Sequence, residues 1–188
     1  METIPQIYDI AKSLYDKLNH FVLKMIQFAE KKDLEEKDVY IDMDHFIQAI
    51  LFKVALADDV LVDVELEFVK KIAEYDDLFK DYALVNLGLL SKEEKNKLSM
   101  ICDEVLAKVP LFVELSVICD KKVDSLTEVI SPTYCQEIYD YLRRIANYLK
   151  FIDGSVKTSE DKTSKMVLQS VVTYYKKHYV KYAPERKK

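Results

Sequence analysis

The chain has 188 residues, a formal net charge of −5 and a sequence pI near 5.3, so as a whole it repels phosphate backbones and anionic lipid and is not a general nucleic-acid binder. Its composition, 49% hydrophobic and 32% charged, is that of a folded globular chain long enough to bury a core, not of a disordered or collagenous one. Two glycines, Gly88 and Gly154, and four prolines exclude hairpin-rich sheets and glycine-built phosphate loops, which leaves an all-α fold without a nucleotide-binding loop.

The first predicted element is a long amphipathic helix whose apolar seam runs Ile7, Ala11, Leu14, Leu18, Phe21, Met25 and Phe28. The polar stretch EKKDLEEKDVY, residues 30–40, ends it. A second helix, predicted from about Asp42 to Ala57, carries Met43, Phe46, Ile47, Ile50, Leu51 and Val54 on one side. An acidic turn follows, and then a third helix with Leu66, Val69, Ile72 and Ala73 inward. DYALVNLGLL reads as a short buried helix. Ser91 and Glu94 form a capping box that starts a helix to about Ala107, because the hydroxyl and the carboxylate each satisfy a free amide of the first turn. Pro110 opens another helix, and Ser131 followed by Pro132 opens the one that carries Ile138, Leu142, Ile145 and Leu149 to Ile152. The last predicted helix begins near Ser159, with Met166, Val167, Ser170, Val171 and Tyr174 on one stripe. The count is seven to eight helices and no strand.

The acidic turns repeat. When ALADDVLVDVELE is set against LKFIDGSVKTSEDK, Asp58 meets Asp153, Asp63 meets Thr158 and Glu65 meets Glu160, at one constant offset. An internal duplication of a helix, an acidic turn and a helix explains this economically, and two such hairpins fit a pseudo-twofold arrangement. These residues resemble the TerB-like (tellurite-resistance protein B-like) helical domain family. The shared pattern is an apolar helix end, Asp-Gly, a hydrophobic two positions on, a capping residue, and a Glu seven after the Asp. The second turn, FIDGSVKTSE, keeps the Asp-Gly, whereas the first has Asp59 where the family has Gly. The resemblance covers roughly residues 42–179 and divides the chain into an N-terminal helical extension (1–38), a helical domain (39–182) and a basic tail (183–188).

The resemblance implies a cytoplasmic, non-enzymatic module for protein interaction or stress sensing, with acidic residues that take a divalent cation, calcium or magnesium. The candidate ligands are Asp58, Asp59, Asp63, Glu65, Asp153 and Glu160. From the residues alone, hard cations want several converging oxygens, yet the spacing is not that of an EF-hand, because Val60, Val62 and Val69 fall where its ligands would stand. The competing account is local. Asp63 or Thr158 caps the next helix, and Glu65 or Glu160 in its first turn faces the positive dipole end. A purely structural scaffold is therefore the alternative function, and a metal-assisted hydrolase the third.

Other motifs carry less. Asp42, Asp44 and His45 could cluster around a metal, but an Asp cap at a helix N-terminus explains them too. Cys102, Cys119 and Cys135, without a C-x-x-C pair, read as reduced core thiols of a reducing compartment. The charged N-terminus is no signal peptide, and no apolar run suits a membrane span. Thirteen tyrosines and no tryptophan, eight of those tyrosines on the last two long helices, suggest either a protein-binding face or the rim of a core, and the first helix could be shared with a second copy in a homodimer. Lys176, Lys177, Lys181, Arg186, Lys187 and Lys188 complement a helix C-terminus.

Overall fold

The computed structural model describes residues 4–31, 34–57, 64–65, 68–69, 78–79, 90–127, 133–151 and 158–179. These are helical throughout their regular parts, and no strand occurs among them. In chain order the helices are α1 (Ile4–Ala29), α2 (Glu36–Ala55), α3 (Lys92–Leu106), α4 (Leu111–Thr127), α5 (Thr133–Lys150), α6 (Thr158–Val167) and α7 (Gln169–His178). The expected count of seven to eight needs correcting, because among the described residues five long helices, α1 to α5, build the bundle. Helices α6 and α7 are ten residues each and are interrupted only at Leu168. The expected short buried helix lies at 81–90, of which only Leu90 is described.

The predicted seam of α1 is buried at Ile7, Ala11, Leu14, Leu18 and Met25, whereas Phe21 and Phe28 are half-buried and Val22 joins the buried face. Ala11, Leu18, Val22 and Met25 are fully buried, with Ile7, Tyr8, Leu14 and Tyr15 nearly so. This helix packs against α4 and α5, so its apolar face closes the common core. It ends where Glu30 takes a left-handed backbone, φ 52°, a conformation that stops a helix and is strained for a residue with a Cβ. Lys122 of α4 holds this end: its ammonium donates to the Phe28 carbonyl at 2.8 Å and pairs with Glu30 at 3.2 Å.

Helix α2 starts six residues earlier than expected, at Glu36, because Val39 already belongs to its buried face. Asp42 is therefore not the cap of its own helix. It lies within α2, and its carboxylate accepts from the Leu111 amide at 2.5 Å, capping α4 instead. Asp44, also inside α2, is buried and accepts from the Tyr15 hydroxyl of α1. The capping box of α3 forms as expected, with Glu94 N–H donating to Ser91 Oγ and Ser91 N–H donating to the Glu94 carboxylate. Helix α3 lies along α2, where Lys53 reaches Ser99 Oγ at 2.6 Å and Asp103 at 2.7 Å.

Helices α2 and α5 end 95 residues apart, at Ala55 and Lys150, and their inward positions match at that spacing: Met43 with Ile138, Ile47 with Leu142, Ile50 with Ile145, Val54 with Leu149. The two helices pack on each other. Helix α1 packs across onto α5, and α4 packs across onto α2.

The final stripe is one position away from the expectation. Glu160, Ser164, Val167, Val171 and Tyr175 face inward, and Met166 is 63% exposed. The interruption at Leu168 keeps Val167, Leu168, Val171 and Val172 all buried and turns Met166 outward. No described helix is long and apolar enough to cross a membrane.

Candidate functional site

Of the six candidate cation ligands, Asp58, Asp59, Asp63 and Asp153 lie outside the described residues. Glu65 and Glu160 are described, and both are buried, at 2% and 1% exposure. Glu160 stands in the first turn of α6 and Glu65 at a helical position, and neither is the solvated acid that a simple dipole account calls for. Removing a carboxylate from water costs several kcal/mol on the order-of-magnitude scale for buried charge unless polar groups or a cation replace the lost hydration. Among the described residues no group of three or more His, Cys, Asp or Glu side chains converges in a way that could hold a metal.

The second turn is flanked by a buried cation. Lys150, the last residue of α5, has a side chain only 6% exposed, and it pairs with Asp161 of α6 at 3.0 Å. Lys165 approaches the same carboxylate from the next turn, and the two ammonium groups hold Asp161 below the usual carboxylate range. At the offset of 95 residues that relates the two acidic stretches stands Ala55, so no lysine precedes the first stretch at that place.

The second polar centre lies in the core between α4, α5 and α7, and the sequence reading did not find it. Asp120 is fully buried and accepts from the backbone amides of Tyr134 and Cys135, both at 2.9 Å, which caps the N-terminus of α5 from a different helix. Burial pushes its carboxyl above the ordinary value of 3.8, against the pull of those two amides. Ser116 donates to the Val113 carbonyl at 2.7 Å, so the Tyr175 hydroxyl, 2.9 Å away, is the donor to Ser116 Oγ. Tyr179 donates to Asp124 at 2.7 Å on the same side. The signal for this centre was present in SVICDKKV, where an acid stands beside the inward-facing Cys119.

The three cysteines are free and buried, as expected. Burial raises the Cys102 and Cys119 thiols to about 12, and burial together with a hydrogen bond to Asp120 raises Cys135 further. All three are protonated, packed side chains without nucleophilic thiolate character. Of the tyrosines, Tyr134, Tyr139, Tyr141, Tyr148 and Tyr174 are half-buried at the edge of the core, and Tyr175 and Tyr179 lie inside it. His178 stacks on Tyr174 with ring centroids 4.3 Å apart.

Among the surface cavities built from the described residues, two stand out. One, of about 400 Å³, is lined by Ser13, Asp16, Lys17, His20, Phe21 and Lys24 of α1 and by Tyr141 of α5. The other, of about 260 Å³, lies between α3 and α6, with Leu106, Ala107, Met166 and Val167 as its apolar walls and the Lys53–Asp103 pair at its edge. No family model, characterised protein or solved structure matches this chain.

Proposed function

We propose that the protein is a non-enzymatic interaction or sensing module of TerB-like type, a duplicated helix–turn–helix bundle with a pseudo-twofold arrangement, that takes a divalent cation, Ca²⁺ or Mg²⁺, at its acidic turns. The observation that carries this reading is the shared burial of Glu65 and Glu160, two carboxylates at equivalent places in the two halves. A carboxylate kept from water just after Asp58, Asp59 and Asp63, as Glu65 is, suits a hard cation that wants several oxygens at one point, and Glu160 follows Asp153 in the same way. The fates of the other acids support a non-catalytic role. Asp42, Asp44 and Asp120 are engaged in joining one helix to another, and Asp161 holds a buried lysine.

The alternative is a scaffold in which the turns only terminate helices. Calorimetric titration with CaCl₂ and with MgCl₂, alongside thermal unfolding, separates the two. The cation reading expects saturable heat and a raised midpoint, both lost in the combined variant Asp58→Ala with Asp153→Ala. No heat and no shift at millimolar ion would leave the scaffold reading standing.

A further inference from the structure

The cavity between α1 and α5 has the chemistry of a small-ligand site. Lys17, His20 and Lys24 stand at i, i+3 and i+7 on α1, so they share one face, and all three are exposed at the rim. The acid among them, Asp16, pairs with Lys12 at 3.6 Å. On the α5 side, Glu137 and Arg144 act on the Tyr141 hydroxyl with opposite signs and offset each other, and with Asp16 paired to Lys12 the charge left over at the cavity is that of Lys17 and Lys24, positive on a chain of net charge −5. The floor is aromatic: Phe21 and Tyr141, both half-buried, lie with centroids 6.2 Å apart. Ser13 is small and leaves room beside them.

These two rings end a longer row. Phe21 stacks on Tyr134 at 5.5 Å, and Tyr134 on Phe28 at 5.8 Å, so Tyr141, Phe21, Tyr134 and Phe28 form one ladder between α1 and α5. At its far end the ladder meets a cation of the protein itself, Lys122, whose ammonium lies 4.9 Å from the Phe28 ring. At its near end it opens into the cavity. A volume of about 400 Å³ falls within the roughly 300–1,000 Å³ typical of small-molecule sites.

We propose that this cavity binds a small phosphate monoester bearing a planar ring, the chemistry of a mononucleotide, with the phosphate on Lys17, His20 and Lys24 and the ring against Tyr141 and Phe21. Side-chain cations hold the phosphate here, which accords with the lack of a glycine loop. The site is separate from the acidic turns and does not depend on them.

The test is calorimetric titration of the full chain, at low ionic strength, with adenosine monophosphate, ribose 5-phosphate and inorganic phosphate. Adenosine monophosphate binds saturably and about tenfold more tightly than ribose 5-phosphate, the gain expected of one stacked base. Lys17→Gln with Lys24→Gln weakens all three probes, and because both lysines are exposed the variant keeps the wild-type thermal midpoint. Tyr141→Leu removes the advantage of the nucleotide over the sugar phosphate. Any of three results overturns the proposal: no saturable binding of adenosine monophosphate at millimolar concentration, binding that survives loss of both lysines, or equal affinity for the nucleotide and the sugar phosphate.

Discussion

Asp120 joins two helices through one carboxylate, and its removal should be felt accordingly. An unsatisfied buried amide costs about 1–3 kcal/mol, and Asp120→Ala leaves two of them at the start of α5. We expect a loss of about 2–4 kcal/mol in denaturant unfolding, and roughly half of that for Asp120→Asn, which keeps one oxygen. The pH dependence has a definite sign. Burial raises the carboxyl in the folded state, so the folded chain holds its proton at pH values where the unfolded chain has released it. Stability from this group is therefore greatest below the ordinary value of 3.8 and falls as pH rises through the window above it. The cost of Asp120→Asn should shrink over that same rise. A cost that stays constant with pH would show that the group ionises alike in both states.

At the scale of elements, the end of α5 is tied to the start of α6 by charge, as Lys122 ties α4 to the end of α1 and Lys53 ties α2 to α3. Lys150 is buried and Asp161 is 39% exposed, so water screens part of their attraction. Asp161→Ala should cost roughly 1–3 kcal/mol, because it leaves a buried ammonium with less compensation. Lys150→Met should be neutral or slightly stabilising, since an apolar side chain of similar length needs no partner there. Chemical denaturation of the two variants side by side checks the asymmetry. Helices with continuous seams, such as α1 and α5, could be read directly from their spacing. The interruption at Leu168 could not, because it falls inside the apolar triplet Met166, Val167 and Leu168 and only packing decides which side chain turns outward. Asp42 was assigned to the wrong helix for a related reason: it caps α4, whose first residues are 69 positions away along the chain.

For the whole molecule, α1 is the test of unity. The sequence set it apart as an extension, because its seam lies outside the repeated turns. Yet Ala11, Leu18, Val22 and Met25 are fully buried in the same core as α4 and α5. Deletion of residues 1–31 should therefore abolish cooperative thermal unfolding and raise binding of a hydrophobic dye, whereas a detachable arm would leave the midpoint unchanged. Of the acidic stretches, the constant offset between Glu65 and Glu160 was legible in the sequence. The burial of Glu160 was not, since α6 packs on α2 and α5 from elsewhere in the chain.

The crossed packing of α1 onto α5, and of α4 onto α2, has a consequence for a chain that emerges from its N-terminus during synthesis. When α1 and α2 have both left the ribosome, the surfaces that cover them have not. At about 5–20 residues per second, the wait from Ala55 to Lys150 lasts on the order of five to twenty seconds, during which Leu18, Met25, Phe46 and Phe52 are covered only in steps, by α3, then α4, then α5. The interval between the first half and its cover, and not the finished bundle, is where this protein is most exposed to aggregation and to chaperone capture.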